Sequence, residues 1–129
     1  MNSIQSDLAE RIDCIEEAYE FMLAYAAQGR EGDDENSEIA QFLQKLYGAL
    51  EGLDEIAAKE FSGDSERDSS GMTFVGVLAA DASNSRAAIG LALAQHRISS
   101  QLIDNLNGSI HLRALLTDLF LLDEVVKPD

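Results

Sequence analysis

The stretch NSEIAQFLQKLYGALEGLDEIAAKEF, residues 36–61, decides the fold. Ile39, Leu43, Leu46, Leu50, Leu53 and Ala57 alternate at spacings of four and three. An α-helix turns every 3.6 residues, so these side chains fall on one stripe. Phe42, Tyr47 and Ile56 widen the stripe beyond a coiled-coil seam. That is the pattern of a helix lying against several others in a bundle.

Working outward, the same period recurs on both sides. Leu8, Ile12, Ile15, Tyr19, Met22 and Ala26 predict a first helix over about 3–28, with Asp7, Glu10, Asp13, Glu17 and Glu20 opposite and Gly29 as its C-cap. The segment from Arg30 to Ile39 reads as a turn with several capping candidates. SGDSERDSSG, residues 62–71, holds no large apolar side chain and reads as a mobile loop. Residues 72–107 read as a long helix dense in small residues, with Asp81–Ser85 (DASNS) as a place to break or bend and Asn107-Gly108 as its stop. Met72–Ala80 by itself would also suit a short strand, but a lone strand has no partner. Ser109 then caps a last helix over 110–126, whose apolar face is Leu112, Leu115, Leu116, Leu119, Leu122 and Val126.

The charge is one-sided. The chain carries 24 acids against 9 bases, a net of −15. Residues 1–68 hold 18 acids and 5 bases, a net of −13; residues 69–129 hold 6 and 4, a net of −2. An anionic first half repels nucleic-acid phosphates and anionic lipid, so neither partner is expected. A basic protein partner suits it. Most acidic helix faces do nothing more than solvate the helix. The N-terminal MNSIQSDLAERID is polar, without a basic region followed by an apolar core, so no secretory leader is expected. Cys14 is the one cysteine, which excludes an internal disulfide and suits a reducing cytoplasm.

Enzyme and metal motifs fail on spacing. A carboxylate-bridged di-metal bundle needs Glu-x-x-His pairs, but Leu93 and Gly108 stand three residues before His96 and His111. DSERDSSG, from Asp64, offers alternate carboxylates in the manner of a calcium loop. Position six is Ser69 rather than Gly, and position twelve is Val75 rather than Glu. One cysteine and two histidines do not make a structural zinc site. Neither a phosphate-binding glycine loop nor a G-x-S-x-G elbow is present.

His96 is the one candidate phosphoacceptor. On a helical wheel it lies at the edge of the apolar arc between Leu93 and Ile103. HRISSQL, residues 96–102, is similar to the H-R-V-K-N-N-L box around the phosphoaccepting histidine of one histidine-kinase subfamily. His96, Arg97, Leu102 and the β-branched Ile98 match; Ser99, Ser100 and Gln101 stand where the box has Lys-Asn-Asn. The resemblance covers seven residues, and the chain has no room for that family's ATP-binding domain. It therefore implies a phosphotransfer or dimerisation half with His96 as phosphoacceptor. A buried histidine between Leu93 and Ile103 would end that reading. His111, in the first turn of its helix, reads as a capping or packing residue.

Together these readings predict an all-α fold. One domain over 1–129 forms an antiparallel up-and-down bundle of four or five helices, open to dimerisation through helices three and four, which are apolar over more than half their circumference. The expected function is a non-enzymatic acidic interaction module (an adaptor, regulator or accessory subunit) that binds a protein partner. The alternatives are phosphotransfer through His96 and a small-ligand pocket near Gly76–Ala88. Neither cofactor nor metal is expected.

Overall fold

Residues 3–32 and 37–126 are described by the computed structural model, with side chains from Asp7 onward. Among them every regular element is helical. The order is α1 (Ser3–Ala26), α2 (Glu38–Leu50), α3 (Leu53–Ala58) running on into a 3₁₀ turn (Lys59–Phe61), α4 (Glu66–Leu93), α5 (Ser100–Asn107) and α6 (Ile110–Val126). Helix α1 packs on α2 and α5, and α4 packs on α6, α3 and α2. One apolar core joins all six. It includes Ile12, Ile15 and Met22 from α1, Leu43 and Leu46 from α2, Leu53 from α3, Leu78 and Ile89 from α4, Ile103 from α5, and Leu115 and Leu119 from α6. Phe21 and Phe42 stack at 4.1 Å between ring centres and close the α1–α2 contact.

The helix expected over 36–61 is two helices. It breaks at Glu51-Gly52, where Gly52 takes φ 71°, a left-handed conformation that glycine adopts without steric cost. The period continues across the break, so the stripe alone does not reveal it. What fixes the break is tertiary. The Arg11 guanidinium donates to the carbonyls of Ala49 and Glu51 at 3.0 and 2.6 Å. Arg86 of α4 donates to Tyr47 O at 3.3 Å, lies 4.0 Å over the Tyr47 ring and pairs with Glu51 at 3.6 Å. Two cations thus hold the orphan carbonyls and the negative end of α2.

The loop expected over 62–71 is confined to 62–65. Ser65 Oγ accepts from Asp68 N at 3.1 Å and donates to the Asp68 carboxylate at 2.8 Å, so α4 starts at Glu66. Gly71, inside this helix, is where Phe61 lies against α4. A Cβ there would stand 2.1 Å from the Phe61 ring. Residues 72–85 are continuous helix, and Asp81–Ser85 does not break it. One of the capping-type side chains there turns to the neighbouring helix instead of its own backbone: the buried Ser85 Oγ donates to His111 O of α6 at 2.9 Å.

The helix expected over 72–107 breaks further on, at residues 94–99. The carbonyls near the end of α1 explain why. Ser100 Oγ donates to Tyr25 O at 2.7 Å and accepts from Arg30 N at 2.8 Å, while Ser100 N donates to Arg30 O at 3.0 Å. Asn107 Nδ2 donates to Met22 O at 3.1 Å, and Tyr25 Oη donates to Ile98 O. Helix α5 has to start afresh at Ser100 to reach α1. Gly29, at φ 65°, ends α1 as the sequence suggests. Asn36, the expected start of the second helix, lies outside the described residues, and Ser37 caps α2 by accepting from Ala40 N.

Arg11→Ala should lower the stability of the chain by about 1–2 kcal/mol, because it uncovers two helix-end carbonyls and removes a cation from α2's negative end. Urea denaturation checks this. An unchanged midpoint would mean that water replaces the guanidinium without loss.

Candidate functional site

His96 is exposed and stands in the 94–99 connection, not on a helix. Its expected place on a wheel between Leu93 and Ile103 therefore does not hold. Ile98, two residues on, is buried and bonded through its carbonyl to Tyr25. Ser99 caps α5 by accepting from Leu102 N at 3.1 Å. Ser100 is 3 % exposed and holds α1. The residues at which HRISSQL departs from the kinase box thus include two with structural work of their own. His111 is exposed in the first turn of α6, behind the Ser109 cap on Leu112 N at 3.2 Å. Among the described residues no hydrogen bond joins either histidine side chain to a carboxylate or hydroxyl. Among the described residues no group of three or more His, Cys, Asp or Glu side chains is placed to hold a metal.

The acid that sequence reasoning passes over is Asp118. It sits on α6 among Leu115, Leu119 and Leu122, at 5 % exposure, and one of its oxygens, Oδ2, meets no donor. Its neighbour is the Asp81 carboxyl of α4. Two carboxylates cannot bond each other, but a carboxylic acid and a carboxylate can, through one shared proton. Burial first, then the hydrogen bond and charge of Asp81, push the Asp118 carboxyl up to about 7. A signal was present: positions 115, 118, 119 and 122 form a core stripe, and an acid in a core stripe is out of place. The pairing itself depends on the α4–α6 register, which spacing within one helix does not contain.

The seam between α4 and α6 is open to solvent. At one end a groove of about 370 Å³ is lined by Phe61, Gly71, Phe74, Leu121 and Val125, with Arg67 over the Phe61 ring at its mouth. A separate depression of about 560 Å³ lies along α6, where Asp118 joins Gly108, Ile110, Arg113, Ala114 and Thr117. Thr73, Val77, Ala80, Asn84, Ala87 and Leu91 form the outer stripe of α4, and Ile110, Ala114, Thr117, Leu121 and Val125 that of α6. Neither stripe carries a charge. From Met72 to Leu91, none of the nine exposed residues of α4 is charged. Acids crowd the other side: Glu16 of α1 is raised by partial burial and then by Asp13, Asp123 and Glu20.

No family model matches the chain, and neither a curated protein nor a solved structure is similar to it.

Two measurements follow from this geometry. His96→Gln should leave stability within about 0.5 kcal/mol of the parent, and Ser100→Ala should cost about 1–3 kcal/mol through buried groups left unbonded. Equal effects would mean that the Ser100 clasp contributes nothing. The second concerns pH. The raised Asp118 carboxyl gives the native chain a proton that the unfolded chain releases near pH 4. Its contribution is complete below pH 4, declines as pH rises and is gone above about 7. Glu16 acts in the same direction. Asp118→Asn should therefore be more stable than the parent at pH 8, by about 1–2 kcal/mol after solvent screening, and should depend less on pH between 5 and 8. Parallel parent and variant profiles over that range would contradict the shared proton.

Proposed function

We propose that the chain is a non-enzymatic acidic helical interaction module, an adaptor, regulator or accessory subunit, that binds a protein partner across the outer face of α4 and α6. One observation carries this reading. Of eight exposed large apolar side chains among the described residues, seven belong to these two helices: Met72, Val77 and Leu91 on α4, and Ile110, Phe120, Leu121 and Val125 on α6. Scattered exposed apolar residues need no explanation, but concentration on two adjacent helices with no intervening exposed charge on α4 does. Interfaces lose charged residues at their centres in this way.

The architecture we read is an antiparallel up-and-down bundle. Ser85 meets His111 and Arg67 meets Val125, which supports opposite directions for α4 and α6. In this arrangement the acidic α1–α3 side faces away from the α4–α6 outer face. The chain's net negative charge acts at long range to raise the encounter rate with a basic partner and favours it over anionic ones. Among the described residues no helix is long and apolar enough to cross a membrane, so the outer face of α4 is not a spanning segment.

A photo-crosslinking residue placed at Leu121 should give protein adducts in extract of cells that make the chain. The same residue at Leu23, equally exposed on α1, should give few. Equal yields at the two positions, or none at Leu121, would reject the α4–α6 face as the contact surface.

A further inference from the structure

We propose that the occupant of the α4–α6 face is a second copy of this chain, paired face to face about a two-fold axis. This rests on the reading of that face as the contact surface and names what covers it. Three observations favour a copy over another partner.

The first is charge. Each chain carries −15, so copies repel wherever their acidic sides meet. The outer stripes of α4 and α6 are uncharged, and from Ser69 to Leu93 the whole of α4 holds one acid, Asp81, and one base, Arg86. On α6 the exposed charges Arg113, Asp123 and Glu124 flank the stripe, so the outer side of α4 is where two copies can touch without opposing like charges. A basic partner would find no exposed acid to pair with from Met72 to Leu91.

The second is shape. Small side chains at Gly76, Ala80 and Ala87 keep the middle of α4 low, with nothing within 4 Å of a Cβ added at Gly76. Larger ones stand among and beyond them, Val77 beside Gly76 and Leu91 one turn past Ala87. Low and high positions along one helix fit the same helix turned end for end, as a two-fold contact between identical surfaces requires.

The third is size. The 28 residues of α4 run about 42 Å and the 17 of α6 about 25 Å at 1.5 Å per residue. Side by side they offer a face about 20 Å wide, roughly 500 Å² along the length of α6 and more where α4 runs on, so two such faces together reach the ~1,000 Å² total that a specific interface has to clear.

Sedimentation equilibrium on the purified full chain tests this, with Ala80→Glu as the disrupting variant and Leu23→Glu on α1 as the control. Both positions are exposed, and circular dichroism checks that each variant keeps its helix content. The expected result is a dimer at tens of micromolar, weakened about tenfold or more by Ala80→Glu and little by Leu23→Glu. Raising salt from about 0.05 to 0.5 M should strengthen it, because screening relieves repulsion between copies. A monomer up to several hundred micromolar overturns the proposal, as does a dimer indifferent to Ala80→Glu or one that salt dissociates. A monomeric chain that still forms Leu121 adducts with a different protein overturns the second copy while leaving the contact face standing. Failure of both removes the contact face too.

Discussion

Helix α4 has to satisfy two surroundings at once, and the rest of the molecule is arranged around that. On its inner side Val75, Leu78, Ala82, Ser85, Ile89 and Ala92 are buried against α2, α3, α5 and α6. On its outer side none of the described residues covers it, yet the residues there are not those that solvate a helix. An ordinary surface helix would place charges on that side, as α1 does with Asp7, Glu10, Asp13, Glu17 and Glu20. The interior supplies a contact for the inner side, and in the proposed pairing a second molecule supplies one for the outer side.

The division of charge follows from the same constraint. The outer stripe of α4 is kept neutral, and most of the acid lies from α1 through the start of α4, with Asp104 on α5 and Asp123 and Glu124 on α6. The two cations that reach α2, Arg11 and Arg86, are spent on the carbonyls at its end. Asp118 is the exception, an acid inside the α4–α6 seam. Burial and the neighbouring Asp81 carboxyl push it up to about 7, so the seam takes up or releases a proton near neutrality. A singly protonated pair keeps one charge and can hydrogen-bond within itself; a doubly ionised pair repels and calls for water.

How much of this is legible in the sequence depends on whether the cause is local. The core stripes of α1, α2 and α6 are legible because burial imposes a 3.6-residue period on each by itself. The Ser109 cap and the Gly29 stop are legible for the same reason. Ser65 with Asp68 three residues later is a local capping signal too, though the polar run around it reads as a loop. The breaks at Gly52 and at 94–99 are not legible, because they answer to Arg11, Arg86, Tyr25 and Ser100, residues far off in sequence. His96 shows the cost: placed on a continuous helix it resembles a phosphoacceptor, and placed in the connection that lets α5 reach α1 it is an exposed loop residue. The apolar excess of helices three and four was legible, since composition carries it. The Asp81–Asp118 pair was legible only in half, as an acid in a stripe of leucines.

The central claim is that the outer face of α4 and α6 is covered in the working form of the protein. Hydroxyl-radical footprinting of the purified chain, read residue by residue over a range of protein concentrations, tests it most directly. Leu91 on α4 and Leu121 on α6 should lose reactivity together as concentration rises, while Leu23 on α1, exposed to a similar degree as Leu121, should keep its own. If all three leucines react at constant relative rates across the range, the face is bare in solution and the account fails.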